Sequence, residues 1–153
     1  MKKRISLIAV LLLVLASCQK KQEPIEITSE EYHASVDKVI EIMIHDIFSP
    51  PVASRIFAYP NIAAYEIIAK NNDTYKSGQV TGLESIPDPK NDENINYEMA
   101  SLIAQMELSK RLIFSEEKME SFRDSLYMVW TKKNEATFNA SKEYGLEVAN
   151  FIG

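Results

Sequence analysis

The sequence predicts an all-α protein of about five helices. Only four of its 153 residues are glycine, whereas sheet-rich proteins usually need more glycine for turns and bulges. Beyond residue 28, apolar residues recur at the three- and four-residue spacing of amphipathic helices. Hydrophobic residues make up 46% of the chain, which excludes a disordered protein. The length suits one ordinary domain or part of a larger one.

Capping and proline signals predict where the first two helices begin. Thr28 and Glu31 have the spacing of a capping box, so the first helix follows Thr28. The triplet 49–51, Ser-Pro-Pro, ends that helix and begins the second, which runs to about residue 70. The second helix is apolar nearly all round and is therefore predicted to be central in something larger. Pro60 predicts a kink or a break in its interior.

Three further helices are predicted after a long connection. Residues 71–94 are rich in Asn and Asp, so we expect a surface connection that crosses over a layer of helices or packs against further chain. Helices are predicted at 95–114, at 116–131 after Ser115 as cap, and from Asn134 to the last residues. Because the last helix stays apolar to its end, we expect residues 29–153 to be part of a longer helical domain.

The first 17 residues are predicted to be a lipoprotein signal peptide. Lys2, Lys3 and Arg4 form a basic start, and an apolar core follows from Ile5 to Ala16. A helix of about twelve residues rises about 18 Å, which is too short to span the roughly 30 Å hydrocarbon core of a bilayer. The core ends in Leu-Ala-Ser-Cys, which resembles a bacterial lipobox, and Cys18 is the predicted lipidation site.

Cleavage before Cys18 predicts a protein anchored to a membrane by its lipid. It removes three basic residues and changes the net charge from −5 to −8, so the acyl chains rather than electrostatic attraction must hold the protein. In known lipoproteins a residue such as Gln19 after the cysteine favours the outer membrane, facing the periplasm. Residues 18–28 are interpreted as a polar tether.

Residue types that carry chemistry are scarce. The 17 basic and 22 acidic residues exclude a sequence-wide nucleic-acid-binding surface, and one cysteine excludes a disulfide framework. Glycine-rich phosphate loops, nucleophile elbows and zinc-protease motifs are absent. His33, Asp37, Glu41 and His45 follow one another at four-residue spacing, as metal ligands on one helix would. A solvated helix face is the favoured interpretation, since no second segment offers further ligands.

The stretch from His45 to Glu66 resembles the N-terminal helical region of vanadium-dependent haloperoxidases, which belong to the type-2 phosphatidic acid phosphatase superfamily. That family has a Pro-Pro start, a small residue, an arginine, and a central helix ending in Ala-x-Tyr-Asp or a close variant. The matching residues are Ser49, Pro50, Pro51, Arg55, Ala64, Tyr65 and Glu66. The resemblance implies an incomplete helical bundle like the N-terminal half of the haloperoxidase fold.

The resemblance also implies vanadate as the cofactor of a complete protein, with halide oxidation by peroxide or phosphomonoester hydrolysis as its reaction. The family binds the oxyanion through a Lys and Arg motif, a Pro-Ser-Gly-His motif and a later Ser-Arg followed by His. This sequence has none of them, because its only Ser-Arg pair, at 54–55, precedes Pro60 rather than a histidine. We therefore expect no catalytic residue and no cofactor in this chain itself. Arg55 could approach the oxyanion site of a complete protein, but the favoured interpretation is that it pairs with Asp46 or Glu66 and covers helix surface.

The sequence leaves three functions open. The first is a membrane-anchored lipoprotein that forms the N-terminal helical scaffold of a haloperoxidase- or phosphatase-like protein, with the C-terminal half or a second copy as partner. The second is a complete small periplasmic lipoprotein that binds a partner through the apolar surface left by its last helix. The third is a metal-binding module that uses the polar stripe of the first helix.

Overall fold

The structure, a computed structural model, describes residues 23–78, 82–83, 85–90 and 92–153. Its helices are α1 (Ser29–His45), α2 (Pro50–Lys70), α3 (Tyr97–Leu112), α4 (Glu116–Lys133) and α5 (Glu135–Ile152). The described residues contain five helices and no strand, which confirms the predicted all-α fold class. The predicted signal peptide 1–17, Cys18 and Gln19 lie outside the described residues.

Local hydrogen bonds explain two of the helix starts. The Thr28 hydroxyl accepts the Glu31 N–H at 3.2 Å, and the Glu31 carboxylate accepts the Thr28 N–H at 2.9 Å, which completes the predicted capping box. Asn134 caps α5 by accepting the Thr137 N–H at 3.1 Å. Ser115 precedes α4 but makes no side-chain capping bond to it, unlike the capping role predicted for it.

The first helix ends at His45, four residues before the predicted stop at Ser49. Ile47 adopts a left-handed backbone conformation with φ +56°. The Phe48 N–H donates to the Met43 carbonyl and the Ile47 N–H to the Ile44 carbonyl, both at 3.3 Å. This is the hydrogen-bond pattern of a Schellman motif, in which glycine usually takes the left-handed position. Here an isoleucine takes that position.

The predicted break at Pro60 does not occur, because α2 runs from Pro50 to Lys70 without interruption. Pro60 is buried, so its ring lies within the packed interior. The Asn61 side-chain amide donates to the Phe57 carbonyl at 2.7 Å, in the turn that the proline disturbs. Tertiary packing and this bond stabilise a helix that local propensity disfavours by about 3 kcal/mol.

The centre of the bundle that the described residues form is α3. Every residue of α3 from Met99 to Ser109 is buried. It packs most extensively against α2 and α5 and less extensively against α1 and α4. One hydrophobic cluster lies towards α1 and α4 and includes Trp130, whereas the other lies towards α2 and α5 and includes Tyr144. The second helix therefore has one buried face, against α3.

Close packing of α5 on α3 depends on Gly145. A Cβ atom at this position would lie 2.6 Å from the Ala100 carbonyl oxygen and 3.0 Å from the Ile103 side chain. Both atoms belong to α3, and one of them is backbone. A glycine inside a helix costs about 1 kcal/mol relative to alanine, and here it permits the close approach of two helices.

The long connection between α2 and α3 crosses over helices, as predicted. Ile86 is 1% exposed and belongs to the cluster towards α2 and α5. The Tyr144 hydroxyl donates to the Pro87 carbonyl at 3.3 Å, and Lys70 pairs with Asp88 at 2.8 Å. The connection is thereby held against both α2 and α5. In the described part of the chain, none of the helices combines the length and apolar character that crossing a bilayer requires.

Candidate functional site

The four residues with metal-ligand spacing lie on an exposed face of α1. His33, Asp37, Glu41 and His45 are all exposed, and Glu41 pairs with Lys38 at 2.9 Å. Among the described residues, no three His, Cys, Asp or Glu side chains are grouped so that they could hold a metal ion. The arrangement is that of a solvated helix face.

Residues 49–51 belong to the stretch that resembles the haloperoxidases, and they form the start of α2. Ser49 has an extended backbone, and its carbonyl accepts the Val52 and Ala53 N–H groups at 3.0 and 2.9 Å. The two prolines occupy the first helical positions, where a missing N–H has little consequence. These residues set the start of the helix and do not converge on a site.

Arg55 does not make the predicted ion pair. It is exposed, and the salt bridges between described residues involve neither Asp46 nor Glu66 with Arg55. Both carboxylates instead bind groups that are distant in the sequence. The expectation was wrong because the helix directs the arginine to solvent, where an isolated ion pair stabilises little.

Asp46 links the α1–α2 connection to the α3–α4 connection at one end of the bundle. Its carboxylate accepts the Phe114 N–H at 2.9 Å, the Ser115 N–H at 3.0 Å and the Ser115 hydroxyl at 2.5 Å. Desolvation opposes ionisation, but the hydrogen bonds from Ser115 and Phe114 outweigh it and lower the pKa of Asp46 below its usual range. The carboxylate thus lies at the N-terminus of α4, where the helix dipole favours negative charge.

Glu66 fastens the beginning of the long connection to α2. It is fully buried and accepts the Ser77 hydroxyl at 2.5 Å and the Gly78 N–H at 2.9 Å. Gly78 has φ +72°, and a Cβ there would lie 2.8 Å from the Leu83 carbonyl oxygen, so glycine is required. The adjacent Tyr65 hydroxyl donates to the Lys76 carbonyl at 3.3 Å. Tyr65 and Glu66 therefore position the loop.

A cavity of about 360 Å³ lies beside Tyr65. The hydroxyl of Tyr32 donates to the side-chain amide oxygen of Asn61 at 2.6 Å, and burial raises the pKa of Tyr32 to about 12. The Ser101 hydroxyl donates to the Glu98 carbonyl. The cavity is lined by Tyr32, Asn61, Ala64, Tyr65, Ile68, Tyr75 and Ser101. Because this lining includes no charged group, it fits an apolar or aromatic occupant and supplies no acid–base pair.

A buried ionic network joins α3 to α4. Glu107 binds Arg123 at 3.1 Å and Lys110 at 3.5 Å, and it accepts the Tyr127 hydroxyl at 3.1 Å. Burial, together with the charge of Glu107, raises the pKa of Tyr127. The negative charge of Glu107 therefore lies between the two cations, Lys110 and Arg123, and offsets their positive charge.

The described residues do not fit a vanadate site. A bound oxyanion requires several converging cations or N–H donors, and vanadate in this family also needs a histidine. Lys110 and Arg123 face Glu107, whereas His33 and His45 are exposed on α1. No oxyanion chemistry is therefore assigned to these residues.

The long-range hydrogen bonds of Asp46 and Glu66 could not be predicted from the sequence. Asp46 binds a residue 69 positions away, and Glu66 binds residues 11 and 12 positions away. Their only sequence signal is a carboxylate in an apolar setting, which in Glu66 interrupts an otherwise apolar helix.

The chain is similar to a crystal structure described as that of the first bacterial vanadium-dependent iodoperoxidase. The two share 65% sequence identity with a TM-score of 0.83, over 87% of this chain and 32% of that chain. This chain thus spans about a third of the length of the iodoperoxidase. No family model matches the chain, and a search of curated proteins found no match.

Proposed function

The chain is haloperoxidase-like in sequence and fold, and from this premise we propose that it is the helical scaffold of a vanadium haloperoxidase-like protein. The scaffold supplies a packed bundle, and the remaining part of such a protein supplies the residues that bind vanadate. In the complete protein the proposed reaction is the oxidation of iodide by peroxide.

One observation carries the proposal. The likeness to the iodoperoxidase is strong, at 65% identity, but it covers only 32% of that protein. The described residues of this chain form a bundle around a central helix, with a buried ionic network between α3 and α4. A part that contributes packing but no catalytic group fits the role of a scaffold.

The proposal is tested with a chimera in which this chain replaces the matching third of the related iodoperoxidase. We expect a folded protein that oxidises iodide in the presence of vanadate, because its catalytic residues come from the other two thirds. The isolated chain serves as the control and should remain inactive with or without vanadate. An inactive, unfolded chimera, or an active isolated chain, would contradict the proposal.

We further propose that Cys18 anchors the protein to the outer membrane, facing the periplasm. The basic start, the apolar core and the small residues before Cys18 support this proposal. Cys18→Ala should release the protein into the soluble fraction, whereas the matched variant Ser17→Ala, which keeps a small residue at the cleavage site, should remain membrane-bound. Retention of Cys18→Ala in membranes after a high-pH wash would contradict the anchor.

The alternative of a small binding module loses the surface on which it depended. It required an apolar surface left by the last helix, but Phe138, Tyr144 and Val148 of α5 are buried within the bundle. Among the large hydrophobic residues of α5, Phe151 is the one that is markedly exposed.

A further inference from the structure

One end of the bundle carries exposed apolar side chains from the last turn of α1 and from two connections, α1–α2 and α3–α4. Ile44 and Ile47 are 73% and 87% exposed, and Phe114 is 78% exposed. The rings of Phe48 and Phe114 stack with centroids 4.7 Å apart. We call Ile44, Ile47, Phe48 and Phe114 the apolar end. Adjacent exposed residues of this kind mark interaction surfaces more often than isolated ones do.

The backbone at Ile47 is strained without a benefit to the bundle itself. A β-branched residue with φ +56° is a conformational outlier, and glycine would adopt this Schellman position without strain. The side chain is almost wholly exposed, so the bundle gains little from burying it. Strain of this kind is typical of positions where function requires a particular side chain.

The apolar end is also held rigidly. Asp46, next to Ile47, accepts three hydrogen bonds, from the backbone N–H groups of Phe114 and Ser115 and from the Ser115 hydroxyl. The two connections therefore present their side chains at one fixed separation. Such preorganisation lowers the entropy that a surface loses when it binds.

The last residues of α5 lie at this same end. Arg111, in the last turn of α3, donates to the Asn150 side chain at 2.6 Å, so α5 finishes beside the end of α3. Gly153 lies against Leu108. In a chain as long as the solved iodoperoxidase, polypeptide joined after Gly153 emerges beside the apolar end.

The N-terminal segment reaches the bundle at the opposite end. The Asn96 side chain donates to the Ile25 carbonyl at 2.8 Å, and the Glu23 N–H donates to the Lys133 carbonyl at 3.3 Å. The 16 residues of α3 separate the two ends by about 24 Å. The apolar end therefore lies at the opposite end of the bundle from the contacts of Glu23 and Ile25.

From these observations we propose that the apolar end docks the two thirds of a haloperoxidase-like protein that this chain does not cover. The inference rests on the proposed scaffold function and names the surface through which it acts. Ile47 and Phe114 are the expected anchors, each placed in an apolar pocket of the docked part. The docked part carries apolar side chains there, because the four side chains of the apolar end are themselves apolar.

The test is carbene labelling of side chains, read by mass spectrometry, in the isolated chain and in the iodoperoxidase chimera. We expect labelling of Ile47 and Phe114 to fall about fivefold or more in the chimera, since the core of an interface excludes solvent. Met128, which is 61% exposed on α4, is the internal control and should be labelled equally in both proteins.

The outcomes separate this inference from the proposed function. An active chimera in which Ile47 and Phe114 remain fully labelled overturns the docking surface and leaves the scaffold role intact. A chimera that does not fold overturns both. Protection in the isolated chain that grows with protein concentration assigns the surface to a second copy, and protection by added phospholipid vesicles assigns it to a bilayer. Either result overturns the inference.

A pair of variants gives a second measurement. Ile47→Asn and Phe114→Ser should leave the isolated chain folded, because both side chains are exposed, but should lower the melting temperature of the chimera. Met128→Ser, an apolar-to-polar change at a residue that is 61% exposed, should not lower it. Equal effects of all three variants on the chimera would overturn the inference.

Discussion

Replacing Ile47 with asparagine should stabilise the isolated chain. Ile47 has φ +56°, and a left-handed conformation costs a non-glycine residue roughly 1–2 kcal/mol, which asparagine largely avoids by local hydrogen bonding. The side chain is 87% exposed. Since full burial of an isoleucine is worth about 1.5–3 kcal/mol, losing the small buried part costs only about 0.2–0.4 kcal/mol. The net gain is therefore about 1 kcal/mol.

The assay is thermal unfolding of the non-lipidated chain, followed by circular dichroism. For a chain of this size, a gain of about 1 kcal/mol raises the melting temperature by about 4 °C. Ile44→Asn is the matched control, because Ile44 is also exposed, at 73%, but lies within α1 with helical backbone geometry. That control should be neutral or destabilised by up to about 0.7 kcal/mol, since asparagine is a poorer helix former.

A lower melting temperature for Ile47→Asn would refute the strain argument. A shift of the same sign and size as that of Ile44→Asn would refute it as well. If Ile47→Asn stabilises the isolated chain but does not lower the melting temperature of the chimera, the strain argument holds and the docking role is contradicted. Stability and assembly are thus separable readouts of the same residue.

Three further predictions follow from packing, electrostatics and exposure. Gly145→Ala should destabilise the chain by about 1–3 kcal/mol despite its better helix propensity, because the added Cβ meets the α3 backbone; urea unfolding measures this, and a gain in stability would contradict the close packing. The folded-state pKa of Asp46 is lowered from its ordinary value of 3.8, so its stabilising contribution is present above that value and is lost as pH falls through the folded-state pKa. Asp46→Asn should therefore unfold with a shallower dependence on pH between about 2 and 5 than the unmodified chain does, and parallel pH profiles would count against the hydrogen-bonded carboxylate. Zinc should bind no tighter than about millimolar in calorimetric titration, with no change in His33→Ala, and a micromolar site lost in that variant would revive the metal-binding function.

Helix starts could be predicted because their signals are local. The capping box of Thr28 and Glu31 lies within four residues, and Asn134 caps α5 through a residue three positions on. The prolines at 50 and 51 act through their own φ angles and missing N–H groups. In each case the interaction that begins the helix is contained in the segment itself.

Features that depend on distant chain were missed. Nothing near Pro60 indicates that α2 continues through it, since the compensating packing comes from other helices. The contact of Asp46 with Ser115 requires two connections to meet at one end of the bundle. The predicted ion pair of Arg55 failed for the same reason, because both possible carboxylate partners are bound elsewhere.

The sequence by itself determined that this chain is helical, where its helices begin, and which family it resembles, because propensity, capping and shared residues are properties of short segments. Only the tertiary structure decided that α3 is the central helix, that Glu66 holds the long connection, and that a strained Ile47 stands exposed beside Phe114. Burial and exposure are set by everything that surrounds a residue. The surface through which this chain is proposed to act therefore becomes visible only when the helices are packed together.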